Sequence, residues 1–261
     1  MTVPYDNFAK IYDRWIDSGG ETMVKIRDFY VTRFGEQSGV IVELGVGNGR
    51  ILVELGKLGR TCVGVDYSRG MLDLCHGRLV EAGVEGRVEL VQGDFRDFRL
   101  AEPAAVILIP YDSIGHMPTH EAKLACFRNV RGNLAPGGTF VFDQQLFDPE
   151  QLKGLDRAIR LRDNFIDEET GQELFIFSTM VQNIAERRYR STLWLERFAD
   201  GAMLSRRLLG TVDNSWTDPE DMRGLLVAAG LEVTECMGSF KGEPFGPAAT
   251  HQIWFTRRPT A

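Results

Sequence analysis

The run VIVELGVGNGR, residues 40–50, joins a short apolar strand to a glycine turn and then to a helical pattern that starts near Arg50. Strand, turn and helix in that order let a ligand approach the backbone closely at the carboxyl end of a parallel strand. Glu43 sits two residues before Gly45, the first of three glycines at 45, 47 and 49. A second acid, Asp66, closes the next apolar run, CVGVD. An acid ahead of the turn and another after the following strand mark a nucleotide-type site.

The glycine spacing narrows the nucleotide. The dinucleotide fingerprint is G-x-G-x-x-G, whose glycines and helix amino end cradle a pyrophosphate. Here the pattern is G-x-G-x-G followed by Arg50, with the third glycine one residue early, which disfavours an NAD-linked oxidoreductase. With its acid placed before the turn, the stretch resembles the first motif of class I S-adenosylmethionine-dependent methyltransferases. Three more features follow in the order that family shows. VELVQGDFRDF (88–98) ends a third strand at Asp94 and Phe95, and AVILIPYDSIGHM (105–117) is an apolar strand ending in Pro110, Tyr111 and Asp112. LAPGGTFVFD (134–143) is a helix end, a turn and a fifth strand from Thr139 to Asp143.

The resemblance implies S-adenosyl-L-methionine as cofactor and a site made of Tyr12, Glu43, Gly45, Gly47, Arg50, Asp66, Tyr67, Met71, Asp94, Phe95 and Ile109. In that site Asp66 holds the ribose hydroxyls by charge-assisted hydrogen bonds. Glu43 serves the amino-acid part, partly through water, and Met71 and Phe95 sandwich the adenine.

Composition agrees with a globular enzyme. The chain has 261 residues, 43% hydrophobic and 10% aromatic, enough for a sizeable core. Its net charge of -7 argues against a nucleic-acid partner, which selects basic grooves. The Arg187, Arg188 and Arg190 cluster reads as a solvated strand face. No apolar run approaches the roughly 20 residues of a membrane span, and the cytoplasm is the expected location. None of Cys62, Cys75, Cys126 and Cys236 stands at C-x-x-C spacing, so buried free thiols are expected.

The pattern predicts an α/β fold, a Rossmann-like doubly wound sheet with additions. Residues 1–38 read as a helical lid, YDNFAKIYDRW and then a helix from Glu21 to Phe34. Residues 39–150 and 214–261 form the cofactor-binding domain. Residues 151–213 form an antiparallel β insertion, with QELFIFSTMVQ, RYRSTLWLERF and MLSRRLLGTVD as three strands joined by DEETG and ADGA turns. The helix DPEDMRGLLVAAG has Pro219 at its first turn and Gly230 at its end.

An insertion at this place resembles small-molecule N-methyltransferases of the glycine, sarcosine and nucleotide-aminosugar type, where the extra sheet roofs the site or mediates dimer contacts. The resemblance implies methyl transfer to a small acceptor, an amine nitrogen of a metabolite or natural-product intermediate, with a possible homo-oligomer through the inserted sheet. Tyr12, and Tyr5 seven residues earlier, match the tyrosine that closes over the cofactor; both also fit an apolar docking stripe with Phe8 and Trp15. Asp112, Ser113 and His116 match the polar positions after the fourth strand. That makes Tyr5, Tyr12, Asp112 and His116 the catalytic candidates, with no metal.

Two alternatives stay open. Asp112, Asp143 and Gln144 imitate the oxygen ligands of a metal-dependent O-methyltransferase acting on a hydroxyl. A non-catalytic cofactor-binding scaffold would keep the glycines and Asp66. His116 and His120 are four apart, but Pro118 between them spoils a helical zinc pair.

Overall fold

The computed structural model describes residues 5, 9, 11, 12, 20–167 and 170–260. Phe8 and Trp15 of the expected stripe lie outside the described residues, as does most of the lead-in before Gly20.

Short apolar runs become the centre of the main sheet because strands covered by helices on both faces need apolar side chains on both. These are β1 (Ile41–Leu44), β2 (Cys62–Asp66) and β4 (Ala104–Ile109), almost entirely buried. With β3 (Val88–Gln92), β5 (Leu134–Gln145), β10 (Glu232–Met237) and β11 (His251–Arg257) they form seven strands in the order β10-β11-β5-β4-β1-β2-β3. β1 to β5 run parallel, whereas β11 lies antiparallel to β5 and to β10. Strand order reverses between β1 and β4, and the crevice above that reversal is where open α/β sheets bind ligands.

Helices α1 (Gly20–Phe34), α2 (Arg50–Lys57) and α3 (Arg69–Glu81) cover one face, through Tyr30, Ile51, Leu55 and Cys75. Helices α4 (His120–Asn133) and α6 (Pro219–Ala228) cover the other, through Phe127, Val130, Met222 and Leu226. Side-chain caps start two of them: Ser68 Oγ accepts from Met71 N, and Thr119 Oγ1 from Ala122 N. A short helix, α5 (Pro149–Leu155), leads out of the sheet. No helix among the described residues is long and apolar enough to cross a membrane.

A second, four-stranded antiparallel sheet holds β6 (Arg160–Ile166), β7 (Glu173–Asn183), β8 (Arg188–Ala199) and β9 (Ala202–Ser215) in sequential order. Three of these were expected; β6 was not, because its mostly exposed RLRDNFI carries little apolar signal. A third core joins the two sheets. Leu174, Ile176, Leu193, Leu195 and Leu209 pack on Met71 of α3 and on Ala9, with Tyr5 and Tyr12 against them. This core holds the amino-terminal tyrosines over the crevice.

Two boundaries differ from the sequence pattern. β3 stops at Gln92, so Asp94 and Phe95 stand in the loop beyond it. β5 starts at Leu134 rather than Thr139, bridging the Pro136-Gly137 turn through a register shift against β4.

Candidate functional site

The carboxyl ends of β1, β2 and β4 open into a cleft of about 470 Å³. The three glycines of the first turn serve it for different reasons. Gly45 (φ 76°) passes beneath Phe95 and Ser113, and a Cβ there would stand 3.0 Å from the Phe95 ring. Gly47 (φ 53°) faces open space, with nothing nearer than 4.0 Å to the place a Cβ would take. Gly49 (φ 78°) packs on α3 instead, where a Cβ would come within 2.5 Å of Cys75 Sγ. Only the first two glycines line the cleft.

Asp66 ties this turn to β2. Its Oδ2 accepts from Gly47 N at 2.9 Å and its Oδ1 from Ser68 N at 2.8 Å, while the side chain stays on the cleft wall. Behind the turn Glu43 is 1% exposed, and its Oε2 has no partner. Burial raises the Glu43 pKa well above the usual carboxylate range, Asp66 adds to the rise and Arg50 opposes it. Tyr67, Met71, Asp94 and Phe95 line the next part of the wall. Both oxygens of Asp94 are held by Arg96, whose Nε and terminal nitrogen approach at 2.8 and 2.6 Å. That pairing lowers the Asp94 pKa.

The far half of the cleft is aromatic and polar. The Tyr5 and Tyr12 rings meet edge-on at 6.2 Å, and Tyr5 Oη lies 3.1 Å from His116 Nε2. His116 is exposed to the cleft, yet the surrounding protein desolvates it and pushes its pKa below the usual value, while a hydrogen bond to the Asp213 backbone pulls the other way. Burial, first of all, raises the Tyr5 pKa well above 10. Thr211, Val212 and Asp213 of β9 form the roof.

Of the expected residues, Tyr5, Tyr12, Gly45, Gly47, Asp66, Tyr67, Met71, Asp94, Phe95 and His116 come together on this wall. Glu43, Arg50, Ile109 and Asp112 do not line it. Ile109 is wholly buried beneath, and Arg50 turns to Asn48 Oδ1. Asp112 is packed behind the loop with Oδ1 unpartnered, and burial followed by the charge of Asp143 raises its pKa. Sequence reasoning missed Ser68, Arg96, Met117 and the 211–213 roof. Ser68 and Arg96 adjoin expected residues, but β9 carries no motif.

Of the oxygen trio Asp112, Asp143 and Gln144, the last two are engaged inside the fold. Asp143 accepts three donors, from Tyr30, Tyr111 and Asp112. Gln144 donates to Ser215 O and accepts from Thr217 N. These contacts tie the end of β5 to α1, to the 111–112 turn and to the end of β9; no cluster of three or more His, Cys, Asp or Glu ligands occurs among the described residues.

Residues 41–138 match the family described as Methyltransferase domain. The matched domain and the fold are those of class I S-adenosylmethionine-dependent methyltransferases, and S-adenosylmethionine is the cofactor that they indicate. Among its relatives, the chain is 25% identical over 205 residues to a cypemycin N-terminal methyltransferase from a Streptomyces species, covering 78% of this chain and 77% of that one. It is 30% identical over 143 residues to the dTDP-3-amino-3,4,6-trideoxy-alpha-D-glucopyranose N,N-dimethyltransferase of Streptomyces venezuelae, covering 53% and 57%. Its fold is similar to that of the CcbJ methyltransferase from Streptomyces caelestis, with a TM-score of 0.81 and 21% identity, over 99% of this chain and 98% of that one.

Replacing Asp66 by Ala removes a charged acceptor from the cleft wall. S-adenosylhomocysteine affinity should fall by about 1–3 kcal/mol, read by calorimetry on protein shown by circular dichroism to be folded.

Proposed function

We propose that this enzyme methylates an amine nitrogen of a small metabolite or natural-product intermediate. The observation that carries the reading is the Tyr5–His116 contact at 3.1 Å in the half of the cleft roofed by β9. The relatives named for N-terminal and aminosugar N-methylation support it.

The glycine side of the cleft suits the cofactor. Gly45 and Gly47 leave bare backbone, Asp66 offers a carboxylate, and Met71 and Phe95 offer apolar faces. The chemistry supplied by the bound cofactor is an electrophilic methyl group that carries its own leaving group. What remains for the protein is alignment and one proton.

An amine arrives mostly as ammonium and must lose a proton to become nucleophilic. His116, its pKa held below the usual value, is neutral at pH 7 and able to accept it. When Nδ1–H donates to the Asp213 carbonyl, Nε2 faces Tyr5 as an acceptor, so the Tyr5 hydroxyl passes the proton on without becoming a phenolate. Tyr12 packs on Tyr5 and keeps that hydroxyl in place. Asp112, away from the cleft, shapes the loop and takes no proton from the acceptor.

We also propose that a second copy of the chain covers the outer face of the four-stranded sheet. Leu161, Phe177, Trp194 and Leu208 stand in one cross-strand row there, with Leu161 and Leu208 52% and 60% exposed. The cytoplasm is the compartment we favour, on the four unpaired cysteines.

Thermal unfolding with millimolar S-adenosylhomocysteine should give a stabilisation that grows as RT ln(1 + [L]/Kd) and is indifferent to EDTA or magnesium. A magnesium-dependent shift would sink the metal-free reading. Stabilisation without turnover of any amine in a screen would favour the scaffold.

With an acceptor from that screen, kcat/KM should fall as pH drops through the lowered His116 pKa. His116→Gln should remove that limb and cost about 10²–10⁴ in rate, and an unchanged pH profile would clear His116 of the role. Leu208→Glu should lower the mass measured by light scattering; an already monomeric native chain would refute the sheet contact.

A further inference from the structure

Asp143, at the end of β5, lies outside the cleft wall and is 1% exposed. Its two oxygens take three donors from two other elements. Oδ1 accepts from Tyr30 Oη of α1 at 2.6 Å and from Tyr111 N at 3.0 Å, and Oδ2 accepts from Asp112 N at 2.9 Å.

The two backbone donors belong to an unusual turn. Tyr111 and Asp112 both have φ near 58°, in the left-handed region that side-chain-bearing residues avoid. Two such residues in a row need an outside constraint to stay there. Their N–H groups face one carboxylate, the arrangement that a pair of successive amides offers to an anion. The next four residues, Ser113–His116, form a short 3₁₀ turn whose Ser113 and His116 side chains line the cleft. The Tyr111 hydroxyl also donates to Met23 O, a second tie to α1.

We infer that Asp143 is a positioning residue, a carboxylate clamp that holds Tyr111 and Asp112 left-handed and so sets the direction from which His116 meets the acceptor. The inference rests on the proposed role of His116 only for its consequence; the clamp itself is read without any methyl transfer.

The carboxylate is required because of its symmetry. Asparagine has the same shape but one acceptor atom. Wherever its oxygen goes, its NH₂ confronts a backbone N–H, that of Asp112 or that of Tyr111. Tyr30 remains a donor at every working pH, since burial and Asp143 itself hold its hydroxyl well above the usual range. The groups facing Asp143 are Tyr30 from α1 and Tyr111 and Asp112 from the turn; Glu43 of β1 acts on Tyr30.

The test compares native protein with Asp143→Asn, Tyr30→Phe and the double variant Asp143→Asn/Asp112→Gly, reading the His116 ring by NMR titration (assigned with His116→Gln) and amide exchange over residues 111–117. In Asp143→Asn the His116 pKa should rise toward 6.5 and the 111–117 amides should exchange at least tenfold faster. Tyr30→Phe, which leaves both turn contacts intact, should lower the unfolding midpoint without moving His116. Glycine at 112 adopts the left-handed turn unaided, so the double variant should recover much of the native His116 titration.

A folded Asp143→Asn with native His116 titration and native exchange would overturn the clamp. If Asp143→Asn does not fold, the double variant decides. Recovery of fold and titration supports the clamp, and continued failure to fold assigns Asp143 to general stability and overturns it. None of these outcomes depends on whether any amine is methylated.

Discussion

The Asp66 carboxylate, accepting from Gly47 N at 2.9 Å and Ser68 N at 2.8 Å, fixes the geometry on which the glycine side of the cleft depends. It ties the turn after β1 to the cap of α3, two segments that leave neighbouring strands in different directions. Met71 follows from that cap, because Ser68 Oγ accepts its backbone N–H. One charged acceptor thus sets the bare glycine floor and the apolar wall relative to each other. The charge of this acid is met by two oriented N–H groups and faces the cleft.

The centre of the molecule is less comfortable. Burial pushes the Asp143 pKa up to about 6, and burial pushes Lys123 down to about 8. Lys123 is 1% exposed, donating to Met117 O at 2.6 Å and Ser215 Oγ at 2.7 Å. The raised acid contributes stability that is complete below its unfolded pKa and lost as pH rises through about 6. The depressed base contributes stability present above its unfolded pKa and lost as pH falls through about 8. Between these values both groups burden the fold. They fasten opposite ends of the 111–117 turn, Asp143 from β5 and Lys123 from α4, and Ser215 joins that turn to the end of the roof strand. Burying these two charges costs desolvation, and each is met by hydrogen bonds to the loop.

Much of the fold was legible because its signals are local. VIVELGVGNGR encodes its own strand, turn and helix start, and the apolar runs at 62–66 and 104–109 have no stable place except between two helical layers. The glycines show the limit of such reading. Positions 45, 47 and 49 look alike in the sequence, yet 45 and 47 clear the cleft and 49 makes room for Cys75. Asp94 was legible as a strand-end acid, but its capture by Arg96 depends on a side-chain geometry two residues on that no motif records. Strand β6 escaped because an exposed edge strand has no reason to alternate.

By itself, the sequence determined the α/β class, the glycine turn after β1 and the acid that closes β2, since each follows from residue type and spacing over a few positions. Tertiary structure alone decided that Thr211–Asp213 roof the cleft from almost 100 residues past His116, and that Tyr5 reaches His116 across 111 positions. It also decided that Asp112 faces inward while His116, four residues later, lines the cleft. Long-range pairing is set by how the two sheets and the amino-terminal segment share the apolar surface around Met71 and Leu174. A contact of that kind is a property of packed volumes, which local patterns of residue type do not encode.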